Sequence, residues 1–532
     1  MQKHRPAPSL AVFLGLVLGL PVALAGSARA ADWYVAPLDA PPSGVASSGS
    51  EAAPFATVSA AIKSGKVKGG DRILLKDGPH GKLLLENVTF DSPVTIMSQH
   101  EKAAQLDSVL IRSGSSNIRL LNLSVWPTDP SSAPAWLVQT GKSTSDITVE
   151  GLVVRTEPGG IEKFAAWDEA KWEARKFSGI SLGGLRNAAV QNDLMGIAFG
   201  ISLTGDESRA VENVIEFYNG DGLRGLGDNN VFLRNRVSNC IKTDGNHADG
   251  FQSFAGESGS VKGLVLDSNT IIEWTHPDGD HPLRCSLQGI GLFDGFYDDL
   301  TIINNLVTTT QYHGISVLGA RNAIISNNTV ANTDGVTGPH PYLSVRNHKD
   351  GSLTTGVLVA NNLAMSFTGS SDPGSAVEYR NNSVIGTPGA VFENPFAQDY
   401  RPKATSGFID SGDAASAPAK DLLGNARPVG KGPDRGAIEV GGTTQPAPPE
   451  ENEEIVAEGP TTEEPAVTTP EVKDPVVTEP VVTKPVVTKP VVTKPVVTKP
   501  AVNKRPRRSV SRWISESLNG VYKRARVRLS SR

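Results

Sequence analysis

The sequence predicts an all-β protein wound as a right-handed parallel β-helix, and three observations predict it. Short apolar runs recur at intervals of 22, 24 and 29 residues, as R-I-L-L at 72, V-T-I-M at 94, I-R-L-L at 118 and I-T-V-E at 147. The same series continues with N-V-F-L at 230, L-T-I-I at 300, N-A-I-I at 322 and G-V-L-V at 356. A second series interleaves with it: K-L-L-L at 82, V-L-I-R at 109, W-L-V-Q at 136, G-I-S-L at 179 and 200, D-G-L-R at 221, D-G-F-Q at 249, Q-G-I-G at 288 and H-G-I-S at 313. Two or three short strands per coil of about 20 to 30 residues describe a solenoid whose coils bury their apolar faces only against their neighbours. Third, Asn235, Asn269, Asn305, Asn328, Asn362 and Asn382 each follow a strand. Asparagine tolerates a tight bend there and can hydrogen-bond to the same turn one coil away.

Composition narrows the alternatives. The 54 Gly and 37 Pro among 532 residues oppose a helical bundle. No L-x-x-L-x-L frame holds across the coils, as a leucine-rich repeat requires, and a propeller needs antiparallel four-stranded blades. A net charge of −5 does not mark a nucleic-acid binder. Two cysteines, Cys240 and Cys285, exclude a disulfide-dense scaffold and a Cys-rich zinc cluster.

The ends differ from the body. Lys3, His4 and Arg5 precede an apolar run from Leu10 to Ala25, and Ala28-Arg29-Ala30 supplies the small residues of a cleavage site, so 1–30 reads as a signal peptide. A secreted, periplasmic or cell-surface protein is expected, in an oxidising compartment where Cys240 and Cys285 can pair. The body spans 31–441. Residues 442–503 form a disordered Pro/Thr/Val/Lys-rich linker, with P-V-V-T-K repeats whose regular prolines exclude helix and sheet. The tail, 504–532, carries ten Lys or Arg against the single acid Glu516, which makes it +9 and the remainder −14. Val510, Trp513, Ile514, Leu518, Val521 and Tyr522 fall on one face of a helix, so attachment to an anionic membrane surface or polymer is expected, the alternative being a solvated basic end.

The opening segments W-Y-V-A-P (33–37), P-F-A-T-V-S-A-A-I (54–62) and G-D-R-I-L-L-K-D-G (70–78) resemble the N-terminal cap of secreted β-helix polysaccharide lyases and mannuronan epimerases. The closing D-L-L-G-N-A-R-P and D-R-G-A-I-E (421–439) are similar to their last coils. This pectate-lyase-like resemblance covers about residues 32 to 441 and implies the fold, export and an acidic polysaccharide as partner.

Two insertions break the coil spacing, 155–178 with W-D-E-A-K-W-E-A-R-K and 274–287 with W-T-H-P-D-G-D-H-P-L-R-C-S-L. Such insertions project from one side of a solenoid, often the binding side, although the first also reads as a short covering helix. Aligning the second strand series on its glycine puts Asp221, Asp249, Gln288 and His313 in one column, with Arg224 and Gln252 stacked three residues further along. Adjacent coils lie about 4.8 Å apart, so the two carboxylates can share a calcium ion, share a proton, or pair with Arg224 or His247. No other cofactor is implied.

Elimination or C5 epimerisation of a uronate needs a neutralised carboxylate, a base for the carbon-bound proton and an acid. The expected catalytic set is Asp221, Arg224, Lys242, His247, Asp249, His313 and, reaching in from the loop, Arg284. Gln252, His276, His281, Gln288 and Tyr312 are expected to bind substrate, and His340 lies nearby. N-H-A-D-G (246–250) resembles the short His/Asp segment of mannuronan epimerases, whose D-P-H order is absent here, while H-P-D at 276–278 reverses it. Chondroitinase-B-like lyases use a Lys base, an Arg and calcium, roles that this resemblance gives to Lys242, Arg224 and the pair Asp221/Asp249. Two alternatives stand beside this reading. One is a glycoside hydrolase using Asp221, Asp249, Asp228 or Asp244. The other is a non-catalytic surface protein that binds polysaccharide. A monomer is expected.

Overall fold

The computed structural model describes residues 30–42, 47–256, 259–332, 340–369 and 372–443. The expected linker and tail lie outside the described residues apart from 442 and 443, as does the signal peptide apart from Ala30. Three long parallel sheets of 15, 12 and 11 strands make up a right-handed parallel β-helix. Each coil visits them in turn. One coil runs through Val231–Leu233, Arg236–Cys240 and Asp249–Phe254, and the next through Val265–Asp267, Thr270–Ile272 and Gln288–Asp294. The third of these runs through Thr301–Ile303, Leu306–Thr308 and His313–Leu318.

The two strand series read from the sequence are the first and third sheets. The second sheet is not among the runs read from the sequence, although its strands, such as Thr270–Ile272 and Leu306–Thr308, are no shorter than Val231–Leu233 or Thr301–Ile303 of the first. Thr270–Ile272 and Leu306–Thr308 each begin directly after the turn asparagine. The asparagines form a continuous ladder: Asn235 Nδ2 donates to Asn269 Oδ1 at 2.9 Å, Asn269 to Asn305 at 3.0 Å, Asn305 to Asn328 at 3.0 Å and Asn328 to Asn362 at 2.9 Å. Asn192 and Asn213 extend it by two coils beyond the residues the sequence singled out. The residue before each asparagine bends the chain with a left-handed φ, for example 58° at Ser268 and 57° at Asn304.

Inside, Ile147, Val149, Leu203, Ile215, Phe232, Ile290, Ile315 and Val345 are closed to solvent in one core that runs the length of the helix. Such burial is the main favourable term in a solenoid, where every coil is apolar on its inner side. The segment after the last coil packs back over the asparagine turns: Asn304 Nδ2 donates to Lys420 O and Asn361 Nδ2 to Asp413 O, each at 3.0 Å or less. Its buried Arg427 faces Glu439 at 3.5 Å, which accounts for the closing motif D-L-L-G-N-A-R-P … D-R-G-A-I-E as a structural unit.

Candidate functional site

The site is built on the outer face of the third sheet. In register, Arg224 pairs with Gln252, Gln252 with Gly291 and Gly291 with Ser316, while Asp249 pairs with Gln288 and His313 with Tyr342. The glycine-aligned column of the sequence is therefore a real column. Its glycines are required by close approach, because a Cβ on Gly250 would lie 2.2 Å from Ile271 Cγ2 and one on Gly289 would lie 2.3 Å from Gly314 O. The same column begins earlier than the motif reading placed it. Trp136 pairs with Ser178, and Phe199 precedes the next glycine, Gly200.

At the centre, Arg224 Nε donates to Asp221 Oδ2 at 2.6 Å, and Nη2 meets the same oxygen at 2.6 Å. The guanidinium lies 3.6 Å from the centre of the Phe199 ring, which fixes its plane. The Asp249 backbone N–H donates to Asp221 Oδ1 at 3.1 Å, so both Asp221 oxygens are occupied. Burial raises the Asp221 carboxyl above its ordinary range, and Arg224 opposes that shift.

Asp249 is 0% exposed, and neither carboxyl oxygen accepts a hydrogen bond. Gln252 is near enough to favour the ionised form but not in hydrogen-bonding geometry. Burial, reinforced by the Asp221 charge, pushes the Asp249 carboxyl up to about 9. At neutral pH the pair thus carries one proton, on Asp249, and one negative charge, on Asp221 facing Arg224.

Two rungs along, His313 is surrounded by rings: Phe293 at 4.8 Å, Tyr312 at 4.2 Å and Tyr342 at 5.3 Å between centroids. Ser316 Oγ lies 2.8 Å and Tyr342 Oη 2.9 Å from His313 Nδ1. Burial and the nearby His247 lower His313 to about 4, so its imidazole is neutral at pH 7. His247 is exposed at the rim, and its positive form acts on both Asp221 and His313. Phe199, Phe293, Ser316 and Tyr342 were missed by motif reading. Phe199 and Ser316 were within reach, since one precedes a glycine of the same column and the other stands three residues after His313 in the H-G-I-S run, whereas Phe293 and Tyr342 become neighbours only through register.

The wall of the site is made by turns between the second and third sheets, where both insertions emerge. Their apolar side chains meet in one cluster, with Phe164, Trp167 and Trp172 from the first insertion, Trp274 from the second, and Met195 and Phe217 from the second sheet. Glu169–Ala174 is the expected covering helix, capped by Asp168, whose Oδ1 accepts from Lys171 N at 2.8 Å. Lys176 reaches Asp244 at 2.9 Å and so ties this insertion to the turn that carries His247. Cys240 and Cys285 are disulfide-bonded, with Cα atoms 5.5 Å apart, linking that turn to the second insertion.

Several expected site residues are engaged in this wall. Arg284 does not reach into the groove: its Nε and Nη2 donate to Glu273 Oε1 at 3.1 and 2.9 Å. Glu273, which the sequence reading passed over, also accepts from Leu287 N, Thr309 Oγ1 and Thr310 N, and so anchors the loop. His281 bonds to Ala165 O at 2.8 Å, and His276 packs against Phe217 and Trp274, which places both between the insertions. Lys242 is exposed, with its backbone N–H on Leu283 O. Asp228 accepts from Lys262 N in the turn from the third to the first sheet, and Asp244 is held by Lys176, so neither joins the carboxyl pair.

The pair does not fit calcium. That ion takes about six to eight oxygen ligands. Here Asp221 is filled by Arg224 and a backbone N–H, and among the described residues no three His, Cys, Asp or Glu side chains converge on one point.

No known family's sequence pattern matches this chain, and no curated protein matches it in sequence. In structure it is similar to the pectate lyase Pel9A, at 16% identity over 78% of this chain and 97% of that one, with a TM-score of 0.41. It is also similar to the A-module of the mannuronan C-5 epimerase AlgE4 of Azotobacter vinelandii, at 13% identity over 62% of this chain and 90% of that one, with a TM-score of 0.42. A PL6 family alginate lyase, AlyGC, matches at 15% identity over 66% of this chain and 51% of that one, with a TM-score of 0.34. At these identities the likeness is one of fold.

Proposed function

We propose that the chain acts on an acidic, uronate-containing polysaccharide by β-elimination or C5 epimerisation. One observation carries the reading: a single sheet face presents a fixed guanidinium, Arg224, one rung before a buried carboxyl that keeps its proton, and a neutral imidazole, His313, two rungs beyond it. Both reactions begin by removing the proton on C5 of the uronate, which requires that the sugar carboxylate be neutralised. Arg224, three rungs and so about 14 Å along the axis from His313, binds the carboxylate of a neighbouring sugar; His313 takes the C5 proton, and His247 at the rim faces the reacting carboxylate and supplies the acid. Tyr312, Gln252 and Gln288 contact the sugar. Asp221 and Asp249 are 2% and 0% exposed and act as positioning residues. By keeping a proton, Asp249 leaves the pair one charge, which holds Arg224 in place.

The rest of the reading concerns the whole chain. The β-helix body at 31–441 is exported by the signal peptide, works as a monomer, and is followed by the linker at 442–503 and the tail at 504–532, which attaches to an anionic membrane or polymer. A second reading, hydrolysis, rests on the same proton-bearing Asp249, which has the raised carboxyl of a general acid. Incubation with alginate, pectate and glycosaminoglycans separates the readings. Ultraviolet absorbance of an unsaturated uronate marks elimination, and an altered C5 configuration by NMR of the polymer marks epimerisation. New reducing ends without either mark hydrolysis. Retention of unaltered polymer leaves a binding protein and overturns the enzymatic reading.

A further inference from the structure

His313 has two distinguishable ring nitrogens, and the structure treats them differently. Nδ1 faces two hydroxyl oxygens at nearly equal distance, Ser316 Oγ at 2.8 Å and Tyr342 Oη at 2.9 Å. Nε2 makes no hydrogen bond with any described residue and is not enclosed. Ser316 is closed to solvent, and its hydroxyl lies near enough to the Tyr342 phenol to favour the ionised phenol. An N–H shared between two oxygens is an ordinary three-centre arrangement. A single in-plane lone pair serves two O–H donors less well.

The geometry points to Tyr342 and Ser316 as a hydroxyl pair that holds His313 in the Nδ1–H form, with the Nε2 lone pair left open to a bound sugar. Tyr342 is thus a positioning residue acting through His313. This rests on the proposed function only in the last step, where Nε2 receives the C5 proton and the electron pair of the C–H bond passes to the substrate carboxylate. The groups that face His313 are His247 from the turn two rungs back, Tyr312 beside it in sequence, Phe293 on the preceding rung, and Ser316 and Tyr342.

The test is long-range nitrogen–proton NMR of the full chain with labelled histidine, assigning His313 by the signal lost in His313→Gln. The expected wild-type spectrum shows a protonated Nδ1 and a bare Nε2, unchanged from about pH 5 to 8. Tyr342→Phe combined with Ser316→Ala is expected to mix the tautomers and, since burial and His247 remain and two acceptors of Nδ1–H are lost, to leave the titration no higher than in the wild type. A protonated Nε2 in the wild type overturns the proposal without any variant needing to fold. So does a tautomer left unchanged in a double variant that melts as the wild type does. Neither measurement uses a substrate, so the expected spectrum from a protein that turns over no polyuronate would overturn the function and leave this inference standing. With a substrate in hand, Tyr342→Phe is expected to lower kcat about tenfold at unchanged KM and to shift the acid limb of the pH profile.

Discussion

Asp249→Asn gives the sharpest physical test of the electrostatics. The folded carboxyl titrates at about 9, whereas in the unfolded chain an aspartate titrates near 3.9. The unfolded chain therefore releases a proton, between those two values, that the folded chain keeps. Stability falls as pH rises through this window, by up to about 1.4 kcal/mol per pH unit. Below about pH 4 both states are protonated and the penalty vanishes; above about pH 9 it is complete. Asparagine has nearly the same shape and no proton to lose. At pH 7 the variant is expected to be more stable than the wild type by at most about 4 kcal/mol, three units of that slope, and by about half of this where water relaxes around the charge. Removing the second carboxyl also frees Asp221 to ionise at lower pH. Urea unfolding of both proteins at pH 4, 5, 6, 7 and 8, compared at about equal ionic strength, is expected to show a gap that opens steadily with pH. A gap that stays flat, or one in which the wild type is the more stable at pH 8, would refute the claim that Asp249 keeps its proton.

Three further outcomes follow from the same structure. Arg284→Ala leaves the Glu273 carboxylate, 1% exposed, without its cation and is expected to lower stability by about 3 to 5 kcal/mol. Activity per folded molecule should persist, and its loss in a well-folded variant would return Arg284 to the groove. Asn305→Ala breaks the ladder where Asn305 Nδ2 bonds to Leu266 O and Asn328 Oδ1 and its Oδ1 accepts from Asn269 N; about 3 kcal/mol should be lost in calorimetry, and an unchanged melting point would deny the ladder its role. Trp136→Ala removes the ring stacked with Phe199 at 6.3 Å and is expected to raise KM for long polymer about tenfold at nearly constant kcat. Equal KM would mean that substrate does not extend along this column.

Much of the fold was legible in the residues because a solenoid repeats one local solution. The strand series at 72, 94, 118 and 147, the glycine column and the turn asparagines each occur once per coil, so a pattern too short to trust alone gained weight by recurrence. The second sheet was not read because its strands begin directly at the asparagine turn, as Leu306–Thr308 does after Asn305, so the turn residue rather than a separate apolar run marks them. In the site, Asp221, Asp249 and His313 share one column, and Arg224 and Gln252 a second three residues along, because alignment on glycine is alignment in space. The insertions did not yield to this reading, because loops carry no register. Arg284, His276 and His281 look like chemistry in a polar stretch, yet Glu273, Ala165 and Trp274 claim them as packing and anchoring groups. Tyr342 follows a segment with no described conformation at 333–339, and only its pairing with His313 shows where it belongs.

Removal of the C5 proton is the step that elimination and epimerisation share, and exchange in heavy water measures it directly. The protein is incubated with alginate, pectate and glycosaminoglycans in D2O, and the uronate C5 position is followed by proton NMR. Loss of the C5 proton signal is expected with at least one polymer, either with an unsaturated product or with deuterium at an inverted C5, and His313→Gln should slow it at least about 10²-fold. Cleavage that leaves every C5 proton in place, or binding with no exchange at all, would contradict the account.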